Sequence, residues 1–319
     1  MFDIGGLLMS CNYNDIRNKN GLKISMFSKS QGFTLIELMI SLVLGLLISA
    51  AVMQVYLINT RTLTVQQSAS EVQDSAIFAL QGVEDHIRIA NLGNPITNIT
   101  DETSHGGIVL STTNLGASNA TDSANFTNSA GSVGWVGLSN MENVDSDQLT
   151  IQYKNITESS LFDCEGTEVA SGTDDWIVER YFIRADSAAD DLVLACDAGR
   201  VTDAGVVTEN FGGNGTIITP GVDQFQALLG VQTDIDNLTY LPASIYVQLT
   251  EKPSITTVKL GFVIRSSTPL ISTEDKINFT VLGKEQSLTA DATREKFYRR
   301  SYESTILLRN ARVMSVTGL

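Results

Sequence analysis

The chain reads as an apolar run, then an amphipathic stretch, then alternating segments. From Leu38 to Leu57, twenty consecutive residues carry no charge. A helix rises about 1.5 Å per residue, so this run matches the roughly 30 Å of a bilayer core. Ser41, Ser49 and Gln54 are polar but uncharged, and Gly45 is tolerated in membrane helices. Beyond Leu57, the residues Val65, Ala69, Val72, Ala76, Ala79, Val83, Ile87 and Ala90 recur every three or four positions. That spacing predicts one apolar stripe on an amphipathic helix, a packing surface. Gln66, Gln67, Glu71, Gln73, Asp74 and Glu84 fall on its other faces. The helix is expected from about Thr34 to Asn91, where "NLGNP" supplies the Gly and Pro that stop it.

The remainder predicts strands. In "DQLTIQYK", Leu149, Ile151 and Tyr153 alternate with Thr150, Gln152 and Lys154, the period-two signature of a strand. "WIVERYFIRADSAADDLVLACD" reads as two strands about an acidic turn, and "ASIYVQLTEKPSITTVKLGFVIRSS" as two more. In the second of these, Val258, Leu260, Phe262 and Ile264 face one way, and "STILLRNA" supplies a final strand. Residues 96–146, rich in Ser, Thr, Asn, Gly and Ala, read as a solvated, loop-like segment without chemistry. A helix followed by antiparallel strands is an α+β arrangement.

Charge narrows the function classes. The formal net charge is −15, and no basic residue occurs between Arg88 and Lys154. Such a chain repels phosphates, so direct nucleic-acid binding is not expected. The three cysteines, Cys11, Cys164 and Cys196, form no CxxC pair, and the two histidines, His86 and His105, lie far apart. A structural zinc is therefore not expected. His86 is expected on the surface of the amphipathic helix. Asp234 and Asp236 lack calcium-loop spacing and read as a solvated acidic turn. P-loop, HExxH, GxSxG and dinucleotide motifs are missing, so neither an enzyme nor a cofactor is expected. Lys29 on the N-terminal side of the apolar run places the N-terminus in the cytoplasm and the rest outside. There Cys164 and Cys196 are expected to pair; two buried free thiols, or a catalytic thiol, are the alternatives.

One residue breaks the pattern: Glu37, a carboxylate at the start of the apolar run. "ISAAVM" (Ile48 to Met53) would suit cleavage of an ordinary secretory signal, but such signals rarely hold an acid in their apolar region. "QGFTLIELMISLVLGLL" resembles the N-terminus of type IV prepilins: Gly32 ends a leader, and Phe33, Thr34, Leu35, Ile36 and Glu37 open the helix. The resemblance implies cleavage between Gly32 and Phe33 by a prepilin peptidase, which also N-methylates Phe33. It implies further that Glu37, fifth after the cut, meets the N-terminal amine of a neighbouring subunit's Phe33 during assembly. "MFSKSQG" makes Met26 the expected start, with residues 1–25 upstream of it.

Later motifs are similar to PilW-like minor pilins. They are "SAIFALQGVEDHIRIAN", "DSDQLTIQY", the two-cysteine region from Phe162 to Asp197, "GVDQFQALLGVQTD", "TTVKLGFVIRSS" and "YRRSYESTILLRN". The implied organisation is a leader (1–32), a transmembrane or pilus-core helix (33–58), an amphipathic helix (59–92) and a periplasmic β-rich head (93–319). The implied fold is pilin-like, a long N-terminal helix packed on an antiparallel sheet. The implied function is a structural minor pilin that primes type IV pilus assembly, supporting adhesion, twitching motility or DNA uptake. Implied partners are other minor pilins, the major pilin, a PilY-type tip adhesin, the inner-membrane assembly platform and the prepilin peptidase. Before assembly the chain would sit in the inner membrane as a single pass; afterwards it would sit in the surface pilus. A minor pseudopilin of type II secretion and a membrane-anchored periplasmic enzyme or binding protein are the alternatives.

Overall fold

The computed structural model describes residues 32–116, 123–129, 135–186, 191–234, 237–271, 276–291 and 293–312. The leader up to residue 31, with Met26 and Cys11, lies outside the described residues, as does Asp236. The chain divides into two compact units, Met1–Val55 and Tyr56–Leu319. Helix α1 is Leu35–Ile89. In the first unit it is exposed on every side, with each large apolar side chain from Phe33 to Val55 more than half exposed.

In the second unit α1 buries one face. Ser68, Val72, Ala76, Ala79, Val83 and Ile87 are buried, at steps of three and four. The expected stripe started too early. Val65 is exposed and Ala69 only half buried, although Val65, two turns before Val72, lies on the same face; burial of the stripe begins at Ser68. The strands follow in chain order. First come β1 (Leu149–Tyr153), β2 (Leu161–Phe162), β3 (Glu168–Val169), β4 (Trp176–Asp186), β5 (Asp191–Val201) and β6 (Val207–Glu209). Next come β7 (Thr216–Pro220), β8 (Val222–Asp234) and β9 (Asn237–Pro242), then a helical turn α2 (Ala243–Tyr246). Last are β10 (Ile255–Pro269), β11 (Asn278–Val281), β12 (Lys284–Ser287) and β13 (Phe297–Leu307).

One sheet runs β1-β4-β5-β6 with β7 also on β5, and a second runs β13-β10-β8-β9. Their strand pairings are antiparallel. The α1 stripe shares one core with Leu149, Ile151, Tyr181 and Leu194 of the first sheet and Phe225, Val258, Phe262 and Ile306 of the second. The long N-terminal helix packed on antiparallel sheets agrees with the expected α+β fold.

Two expectations need correction. "ASIYV" is not a strand. Ala243 and Tyr246 are the buried positions, three apart, while Ile245 and Val247 are exposed; that is helical spacing, and the Tyr246 hydroxyl donates to the Pro253 carbonyl at 2.9 Å. Nor is the described part of 96–146 merely solvated. Val109, Leu115 and Phe126 join Trp176, Val178, Val201 and Phe211 in a second cluster. Its polar residues serve backbone groups that no ladder satisfies. Asn114 Nδ2 donates to the carbonyls of Thr100 and Thr103, both at 2.8 Å, and its Oδ1 accepts from Leu110 N–H. Residues 117–122 and 130–134 lie outside the described residues.

The C-terminal end of α1 is sealed by two asparagines. Asn91 is fully buried with a left-handed φ of 66°, a conformation Asn tolerates at helix ends. Its Nδ2 donates to the carbonyls of Ile96 and Asn310, and its Oδ1 accepts from Gly107 N–H at 2.9 Å. A Cβ at Gly107 would stand 2.3 Å from the Asn91 nitrogen, so only glycine permits this approach. Asn310, beyond β13, donates from Nδ2 to the carbonyls of Ile89, the last residue of α1, and of Ala90 just after it, at 3.3 and 3.2 Å. Helix-terminal carbonyls need such partners. Asn310→Ala should therefore cost about 1–2 kcal/mol, lowering the melting temperature by about 2–6 °C. An unchanged thermal melt would remove Asn310 from the cap.

Candidate functional site

At the N-terminal end, Gly32 and Phe33 are exposed, and nothing lies within 4 Å of where a Gly32 Cβ would stand. Thr34 Oγ1 accepts from Glu37 N–H at 3.3 Å, and its carbonyl accepts from Leu38 N–H at 3.2 Å. Thr34 thus caps the helix. Glu37 lies in the first turn with its side chain exposed, where the positive end of the helix dipole favours an anion. Sequence reasoning missed the cap, although Thr-x-x-Glu before an apolar run is its signature. An apolar surface this large on one helix exceeds what a monomer presents to water. It fits a membrane anchor that is later covered by other subunits.

The head contains a carboxylate in the opposite situation. Glu179, in the middle of β4, is fully buried. Tyr153 at the end of β1 donates its hydroxyl to Oε1 at 2.9 Å, and Tyr181, two residues along β4, donates to Oε2 at 2.8 Å. The Cys164 N–H donates to Oε1 at 3.1 Å. From α1, His86 Nδ1 lies 2.9 Å from both oxygens. His86 is therefore not a surface residue: it ties the helix to the first sheet. The sequence signal for this knot was the acid in "WIVERYF". A charge flanked by apolar residues in a buried strand needs partners.

Cys164 and Cys196 are bonded, with Cα atoms 6.1 Å apart. The disulfide ties the turn of the β2–β3 hairpin to β5, beside the knot. Asp163 in the same turn pairs with Arg200 at 2.5 Å. Burial opposes charge on the His86 imidazole, but the hydrogen bond and negative charge of Glu179, aided by Asp163 and Asp85, outweigh it and raise its pKa. Burial, then Glu179, push the Tyr153 and Tyr181 hydroxyls well above the usual tyrosine range. These tyrosines are donors and stay protonated. Glu37 and Glu179 are separate features, and Asp234 is exposed at the end of β8. Among the described residues no cluster of three or more His, Cys, Asp or Glu could hold a metal ion.

Residues 180–310 match the family described as type IV pilus-assembly protein W. Residues 27–53 match the prokaryotic N-terminal methylation motif. These two matches support a type IV minor pilin of the PilW family. The matches indicate a structural rather than a catalytic protein, one associated with a membrane and with other pilus components. No curated protein matches the chain. Among solved structures, it is similar to a type IV-like pilin from Thermus thermophilus, with 12% identity and a TM-score of 0.26 over 52% of this chain and 80% of that one. A likeness of that size adds nothing to the family match.

The raised His86 pKa carries a signed consequence. The His86–Glu179 pair stabilises the head fully below the ordinary imidazole value of about 6.5, and the contribution is lost as pH rises through the raised value. Thermal melts should therefore show stability falling as pH rises above about 6.5. His86→Gln should flatten that slope; a variant with the wild-type slope would exclude His86 as its source.

Proposed function

We propose that the chain is a minor pilin that primes assembly of a type IV pilus. The observation that carries this is the methylation-motif match on a helix that is apolar and exposed along its first unit, with a single acid in the first turn. A prepilin peptidase cuts between Gly32 and Phe33 and methylates the new amine. The leader stays on the cytoplasmic side, and the helix holds the chain in the inner membrane with the head in the periplasm. A carboxylate drawn out of water into a packed apolar bundle is costly unless paired, so Glu37 needs a partner. The amine of a neighbouring subunit's Phe33 supplies it, and the pair sets the stagger between subunits. Other minor pilins, the major pilin, a PilY-type adhesin and the assembly platform are the partners on this reading.

Both test residues are exposed, so substitution reads function rather than folding. Gly32→Ala should leave the leader attached, giving an intact mass larger than that of a chain starting at N-methyl-Phe33. Glu37→Ala should be cut and methylated normally, yet enter sheared pili at less than about a tenth of the wild-type level. Normal processing of the first variant, or normal incorporation of the second, would contradict the corresponding role.

A further inference from the structure

Where α1 ends, the loop after it and the segment after β13 border an open surface groove of about 610 Å³. Arg309 and Arg312 line it together with Asn94, Pro95 and Ile156, and none of its lining residues is acidic. This is notable in a chain with 36 acidic and 21 basic residues. Elsewhere in the head, Arg88, Arg180, Arg200, Arg265 and Arg299 each meet a carboxylate. The guanidinium groups of Arg309 and Arg312 are exposed and have no hydrogen-bond or ion-pair partner among the described residues. The helix end does not need them, since Asn310 between them already serves its carbonyls.

Their backbone is nevertheless held in place. Arg309 N–H donates to the Arg88 carbonyl at 3.4 Å and Arg312 N–H to the Thr97 carbonyl at 2.7 Å. Beside them Ile156 is 60% exposed. Two unpaired cations on an anchored backbone, a concave wall and an apolar shoulder form a surface suited to an anionic partner.

We propose that this groove docks an extended acidic segment of another protein, with two carboxylates on Arg309 and Arg312 and an apolar side chain on Ile156. A nucleic acid fits less well. Two arginines neutralise only two phosphates, and the chain's net negative charge opposes the rest. The site lies in the head, and its occupancy does not depend on processing at Gly32 or on Glu37.

The test uses the full chain in neutral detergent. Its fluorescence-anisotropy probes are a labelled decapeptide alternating Glu and Leu, the same peptide with Gln for Glu, and a ten-nucleotide single-stranded DNA. The Glu peptide should bind with a salt-sensitive affinity. The Arg309→Gln/Arg312→Gln double variant should bind it at least about tenfold more weakly with an unchanged melting temperature. Lysine at both positions should restore part of the loss. Ile156→Glu, a change at an exposed position, should also weaken binding and serves if the double variant folds poorly. Equal binding of the Gln peptide, or full binding by both variants, would overturn the proposal. So would tighter binding of the DNA through the same two arginines, which would assign the surface to nucleic acid instead.

Discussion

The head depends on the register of one narrow helix face between two sheets. Ala76 and Ala79 keep that face thin, and the bulk of the shared core comes from the sheets: Tyr181, Phe225 and Phe262. Close approach of the helix is what brings His86 within reach of Glu179 and the carbonyls of Ile89 and Ala90 within reach of Asn310. A slip of one turn, about 5.4 Å, would break all of these contacts together. Packing sets the register, and the polar contacts make it unique. Glu71 and Glu84 add hooks from α1 to Ser267 and Ser304 of the second sheet.

Two carboxylates in this chain sit where apolar sequence surrounds them, and they are handled differently. Glu179 is satisfied within the fold, by two hydroxyls, a backbone amide and an imidazole. Glu37 is exposed on an apolar surface, and among the described residues only its backbone N–H and carbonyl are engaged by side chains, those of Thr34 and Ser41. The first is a complete structure. The second offers a charge that another molecule can answer, and this difference separates a residue that holds the head together from one suited to holding subunits together.

Features with a strong local period were legible in the sequence. The apolar run, the amphipathic stripe and the alternation in β1 and β10 follow from steps of 3.6 or 2 along the chain. Failures came where contacts across the fold decide. Ala243–Tyr246 looks alternating, yet burial of Ala243 and Tyr246 selects a helical turn. Residues 96–116 look like loop, and their backbone is irregular, but Asn114 and Gln152 satisfy that backbone and let Val109 and Leu115 join a core. His86 looked superficial because its partner lies 93 residues away. For the N-terminal segment the sequence was the richer source, because its chemistry depends on residue types in fixed order and not on a folded pocket.

The seal on α1 also has a consequence in time. Synthesis delivers the helix first, whereas the groups that lock its far end come from residue 179 and, last of all, from residue 310. Contacts so distant along the chain form slowly, after costly loop closure. Until nearly the whole polypeptide has emerged, the Ile89 end stays uncapped and Glu179 lacks its complete set of donors. The molecule thus carries an internal sign of completion: a chain cut short before its closing strand keeps its anchor but cannot finish the body that the anchor is meant to carry.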